Sequence, residues 1–211
     1  QATPVYACLL ETFALYGLPE AMLMDHGTPW WSTTNALGLT WVSVALIKQD
    51  IRLYFSGVGH PQTQGKVERL HGSLGWAMHQ LGTPEDLASS ATFLATFRQD
   101  YNEVRPHESL QMEVPARHYQ PSPRAYHPDP RPWEYPAGVQ VLRLNSQGML
   151  PYAGTRYFVC EALAAEDVGV QEFDGKLLVS YRQMLIREVD LRTKQTLPLV
   201  RPVEDDVSTM S

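Results

Sequence analysis

The stretch His60-Pro61-Gln62-Thr63-Gln64-Gly65-Lys66-Val67-Glu68-Arg69-Leu70-His71 decides how the rest of the chain is read. A polar, proline-marked loop runs into a helix, and the helix delivers one carboxylate, Glu68, within its first turns. Lys66 and Arg69 flank it. A carboxylate beside cations at a helix entrance suits a site that holds a divalent cation against a phosphodiester. Upstream, Asp25 in Met24-Asp25-His26-Gly27 stands where a short apolar run stops at a turn, and it is the second candidate ligand.

Working outward along the helix, Gly72, Gly75 and His79 fall on the side of Glu68. Val67, Leu70, Leu74, Ala77, Met78 and Leu81 form the opposite stripe. The apolar stripe is expected to face a core, so that Glu68 looks outward over a face kept bare by glycine. Each glycine costs roughly 1 kcal/mol of helix stability against alanine, and two beside a carboxylate suggest that something bulky approaches there. Periodicity alone admits a plainer reading, a solvated glutamate on an amphipathic helix. Asp25 has a plain reading too, since Asp before a Gly turn commonly bonds neighbouring amides. A carboxylate at the end of a strand is, however, where α/β sheets place their sites.

The flanking elements follow from pattern and punctuation. Residues from about 4 to 16 read as a helix ended by Gly17 and Pro19, and Ala21 to Met24 as a buried strand. Thr28 to Leu39 reads as irregular. Thr40 can cap a helix over Trp41 to Gln49, and residues 51–55 alternate as a second strand. The helix after His60 runs from about Thr63 to Leu81. Thr83-Pro84-Glu85-Asp86 then opens another, which stops before Arg105-Pro106. Prolines crowd the segment from Pro115 to Pro136, read as a stiff linker. Beyond it six short β-type runs alternate with turns, Asn145-Ser146-Gln147-Gly148 and Asp174-Gly175 being hairpin signals, and they read as a small barrel.

Composition bounds the function. The net charge of −6 and the pI near 5.6 exclude a protein that coats nucleic acid through a dense basic surface. A nucleic-acid enzyme remains open if its cations line one groove. No run approaches a membrane span, and no signal peptide is visible. Cys8 and Cys160 lie far apart without ligand clusters, so both read as reduced core thiols in a cytoplasmic protein.

The block from His60 to His71, with Asp25 upstream in its D-x-G turn, resembles the catalytic core of DDE transposases and retroviral-type integrases, above all those of bacterial insertion sequences. Tyr101-Asn102-x-x-Arg105-Pro106-His107, followed by Ser109-Leu110 and Pro115, resembles the segment after the catalytic helix in those enzymes. Gly154-Thr155-Arg156-Tyr157-Phe158-Val159 resembles part of the C-terminal domain that some of them carry. The resemblance implies an α/β fold: a partial ribonuclease-H-like integrase core over 1–114, a proline-rich linker over 115–136, an SH3-like barrel over 137–200 and an acidic disordered tail over 201–211. It implies three carboxylates holding two Mg²⁺ (or Mn²⁺) ions for DNA cleavage and strand transfer. Asp25 matches the second carboxylate and Glu68 the third, as catalytic residues and metal ligands. The first is expected upstream of Gln1, so that the 211-residue chain alone is expected to be inactive.

Two departures stand out: His26 replaces a usual Asn, and the Asp25–Glu68 separation is longer than usual. DNA contacts are expected from Lys66, Arg69, Gln62, Gln64 and His60, with transposon ends and target as partners and a homo-oligomer on the DNA. Arg105 and His107 could bind DNA, but a structural role is the stronger expectation, because the turn around Pro106 needs its polar groups satisfied. Trp41 is expected in the core, and Trp30 and Trp31 either stack on a base or cover the sheet edge. Tyr157, Phe158 and Tyr181 are expected in the barrel core, and Arg143, Arg156 and Arg182 facing DNA. Two further readings stay open: a non-catalytic DNA-binding or assembly module, including the remnant of a decayed element, and a host nuclease of the same fold.

Overall fold

A computed structural model describes residues 2–34, 38–55 and 65–203. The chain gathers into two compact units, one of Gln1–Val58 with Ser122–Ser211 and one of Gly59–Pro121.

In the first unit, helix α1 (Ala2–Tyr16) sends Phe13 into the core and ends at Gly17. Gly17 has φ +78°, and a Cβ there would lie 2.8 Å from the carbonyl oxygens of Ser122 and Arg124. Only glycine permits both the turn and the passing backbone. Strands β1 (Ala21–Met24) and β4 (Arg52–Phe55) pair in parallel, Leu23 opposite Tyr54. A parallel pair needs a crossover, supplied here by α2 (Trp41–Lys48). Thr40 caps α2 as expected, its Oγ1 accepting from the Ser43 N–H at 3.3 Å. The segment before it is not wholly irregular: β2 (Trp31–Ser32) and β3 (Gly38–Leu39) form a short antiparallel pair. Trp41, expected in the core, is 46% exposed and packs edge-on against Tyr6. Position explains the difference, because Val42, Leu46 and Ile47 take the buried side of α2.

The C-terminal part is a five-stranded antiparallel sheet in the order β11-β10-β9-β8-β5. Its strands are β5 (Gln140–Arg143), β8 (Asp167–Phe173), β9 (Lys176–Tyr181), β10 (Met184–Asp190) and β11 (Thr196–Pro202). A separate hairpin joins β6 (Met149–Tyr152) and β7 (Thr155–Phe158). All six expected runs are strands, and β11 is additional. It carries strand structure through Arg201 and Pro202, positions expected in a disordered tail; residues 204–211 lie outside the described ones. Asp174-Gly175 makes the expected hairpin, both residues with positive φ. Asn145–Gly148 is a turn without a hairpin, since β5 and β6 belong to different sheets. Gly148 sits so close to Cys160 that a Cβ would lie 2.1 Å from its carbonyl oxygen.

One hydrophobic core runs through the whole unit, from Phe13 and Leu53 to Val179, Ile186 and Val200. Tyr157 and Tyr181 are buried as expected, and so is Cys160, but Cys8 is exposed on α1. The join between α2 and the later sheet is polar. Arg124 donates to the carbonyls of Pro19 at 2.6 Å, Gln49 at 2.9 Å and Asp50 at 3.0 Å. Arg182 donates to the Lys48 carbonyl at 2.7 Å, and Gln183 to those of Ile47 and Ile51 at 3.3 and 3.2 Å. Arg182, expected to face DNA, is instead a helix cap whose side chain is 10% exposed. Arg143 pairs with Asp167 at 3.2 Å, and Arg156 is exposed.

Glu166 accepts from Lys48 at 2.6 Å and from the Tyr181 hydroxyl at 2.8 Å. Burial pushes its carboxyl up, but those two hydrogen bonds and the nearby Lys48 and Arg182 charges outweigh it and hold it below the ordinary value. A depressed folded pKa stabilises above the unfolded value, and the stabilisation is lost as pH falls through the folded one. Glu166→Gln is therefore expected to cost about 1 kcal/mol near neutrality in this half-exposed pair, with the difference from the parent shrinking as pH drops below about 4. Urea denaturation across pH checks this. In the same assay Arg124→Ala, which strips three carbonyls of their donor, is expected to lose about 3 kcal/mol.

Candidate functional site

Asp25 follows the last residue of β1 and is exposed. Its Oδ1 accepts the Gly27 N–H at 3.0 Å, the local bond of an Asp-Gly turn. His26 fixes that turn to the sheet. Its ring meets Trp31 edge-on at 4.7 Å and lies 5.6 Å from Phe55, the last residue of β4. Trp31 is buried and contacts Phe55 in turn at 4.9 Å. Of the two roles open to it, Trp31 takes the covering one, and Trp30 packs partly buried beside the same core.

The second unit is built on α3 (Gly65–Leu81) and α4 (Leu87–Gln99). Glu68 lies in the first turn of α3 and is exposed, as are Lys66 and Arg69. Among the described residues none of the three forms an ion pair. A Cβ at Gly72 or Gly75 would meet nothing within 4 Å. No packing inside the described chain requires those glycines. The opposite stripe is less covered than expected: Ala77 is buried, whereas Val67, Leu70 and Leu81 are exposed. His60, Gln62 and Gln64 lie outside the described residues.

Helix α4 starts later than the sequence signals suggest. Asp86 is the cap, accepting the Ser89 N–H at 2.7 Å, and the Ser89 hydroxyl oxygen accepts the Asp86 N–H at 3.1 Å to complete a capping box. Ser89's backbone and side-chain hydrogen bonds hold the Asp86 carboxyl low. Thr83 and Pro84 therefore belong to the connection. After α4 the chain makes one π-helical turn, Asp100–Val104, and Pro106 ends it. His107 Nε2 lies 3.1 Å from the Tyr101 carbonyl oxygen, and its ring packs edge-on against the Tyr101 ring at 4.6 Å. The Arg105 guanidinium covers the same ring at 5.8 Å. Satisfying this turn is the role expected of His107.

An integrase core domain model matches residues 49–115. The integrase-core segment thus takes in β4, α3, α4 and the π-helical turn, and it contains Glu68 but not Asp25. The match supports an integrase- or transposase-like family and a role in DNA integration or transposition. Such core domains are typically polynucleotidyl transferases that act on DNA and generally use divalent metals. Among the described residues no three His, Cys, Asp or Glu side chains gather as a metal-holding group, and no helix is long and apolar enough to cross a membrane. Asp25 and Glu68 fall in different compact units. Their chemistry suits a hard cation: both are exposed carboxylates, the oxygen donors that Mg²⁺ prefers.

The bare face yields a test. Gly72→Ala with Gly75→Ala is expected to stabilise α3 by up to about 1 kcal/mol for each residue. If a DNA strand uses that face, the same double substitution lowers DNA strand transfer, so thermal unfolding and activity move in opposite directions.

Proposed function

We propose that this chain belongs to a DDE-type insertion-sequence transposase, which cleaves transposon ends and joins them to target DNA. The observation that carries the reading is Glu68: an exposed carboxylate in the first turn of α3, inside the integrase-core segment, beside a glycine-bared face. On this reading residues 1–114 are part of a ribonuclease-H-like core. The parallel β1–β4 pair with its α2 crossover supports that assignment. Residues 115–136 link the core to an SH3-like barrel over 137–200, supported by the antiparallel sheet and its separate hairpin.

Asp25 and Glu68 would hold Mg²⁺ or Mn²⁺ as two of the carboxylate ligands. When bound, such ions activate a water or 3′-hydroxyl nucleophile and offset charge on the leaving oxygen. The chain's own residues do the rest. The Asp25 turn holds one carboxylate at the end of β1 through the His26–Trp31–Phe55 packing. α3 presents the other, with Lys66 and Arg69 beside it to hold backbone phosphates without reading sequence. His60, Gln62 and Gln64 complete the proposed DNA contacts. The protein works in the cytoplasm as a homo-oligomer on DNA.

A second reading, a non-catalytic DNA-binding or assembly module, is favoured by one observation: Asp25 already spends Oδ1 on the Gly27 amide. Glu68→Gln in the complete gene product separates the two. The transposase reading expects Mg²⁺-dependent strand transfer to fall roughly 10³-fold or more, with DNA binding nearly unchanged. Strand transfer retained in that variant removes the assignment.

A further inference from the structure

A cleft of about 710 Å³ in the second unit brings together two arginines from distant parts of the sequence. Arg69 comes from the helix that carries Glu68, and Arg105 from the residue that ends the π-helical turn. His107, Glu108 and Ser109 line the same cleft.

Arg105 is held in place by its surroundings. Its N–H closes the π-helical turn on the Asp100 carbonyl at 2.8 Å, and Pro106 stops the helix there. Its guanidinium carbon lies 5.8 Å from the centre of the Tyr101 ring, which also meets His107 at 4.6 Å and Phe97 at 5.6 Å. His107 is fixed in turn by the backbone bond from its N–H to the Glu113 carbonyl at 3.0 Å. A cation–π contact of this kind leaves the guanidinium N–H groups free to donate. Arg69 and Arg105 are both exposed, and among the described residues neither has an ion-pair partner. Glu108 is the one carboxylate among the residues that line the cleft. In a chain of net charge −6, an excess of positive charge in a concave wall concentrates the field where an anion enters.

We propose that this cleft is a backbone-phosphate clamp for the DNA strand being processed, with Arg69 and Arg105 each gripping a phosphate. The inference rests on the reading of Glu68 as the strand-processing carboxylate and adds Arg105 to the DNA-binding residues. Guanidinium forks match phosphate oxygens in pairs, and contacts of this kind set a strand's position without selecting its sequence.

The test is binding of the full chain to a short labelled duplex, measured by fluorescence anisotropy over a range of salt concentrations. Each phosphate contact contributes about 0.9 to the slope of log Kobs against log salt. R69Q and R105Q are each expected to flatten the slope by about 1, and the double variant by about 2. R105K, which keeps the charge, is expected to retain the slope. Unchanged slopes in folded variants overturn the clamp, as does weaker binding without a change of slope, or no binding by the parent chain at low salt. If R105Q does not fold, R69Q decides alone, because Arg69 is exposed on a helix surface. Strand transfer by E68Q is read separately. An active E68Q with flattened arginine slopes ends the strand-processing reading and keeps the cleft as a DNA site; an inactive E68Q with unchanged arginine slopes does the reverse.

Discussion

The last carbonyls of α2 are the constraint on which the first compact unit depends. A helix leaves its final carbonyls without partners, and burying them unpaired costs about 1–3 kcal/mol each. Here Asp50 turns the chain with φ 57°, and side chains from far along the sequence take the exposed oxygens. Arg124 reaches Gln49 and Asp50, Arg182 reaches Lys48, and Gln183 reaches Ile47 and Ile51. The end of α2 is therefore satisfied only once the later segments are packed against it. The ion pair between Lys48 and Glu166 and the shared apolar core reinforce the same join.

That join has consequences for the chemistry. It holds α2, and through α2 the parallel strands β1 and β4. Phe55 at the end of β4 is part of the aromatic group that seats His26 and so the Asp25 turn. One candidate carboxylate is thus positioned by long-range packing. Glu68 is positioned differently, by the register of a single helix whose neighbouring glycines leave space that nothing in the described chain fills. The two carboxylates are therefore set by different means, one by packing around a strand end and the other by helix register.

Much of this was legible in local pattern. The alternation of residues 51–55, the Thr40 cap and the Asp174-Gly175 turn each express a preference set within a few residues, and each appears in the structure. Other features depended on competition between neighbouring signals. Thr83 reads as the cap and Asp86 as a first-turn acid, yet Asp86 caps the helix, with Ser89 Oγ accepting the Asp86 N–H in return. Trp41 begins a helix rich in apolar residues on every side, so hydrophobicity did not reveal which face would be buried. Arg182 and Arg187 carry charges normally kept at the surface, yet Arg187 is fully buried, its guanidinium over Phe158 and bonded to Thr196. No local signal marks an arginine whose partners lie elsewhere in the fold.

Local pattern alone marked most of the helices and the longer strands, the two candidate carboxylates and the cations beside Glu68, because periodicity, caps and turns act over a few residues; the short β2–β3 pair, the π-helical turn and β11 were not marked. Tertiary structure alone decided that the segment from Ser122 onward would be stitched to α2, that Arg182 would cap a helix, and that Arg69 and Arg105 would share a cleft. Those outcomes depend on which distant groups meet: an unpaired carbonyl or an uncovered ring selects its partner only after the backbone has brought the two together.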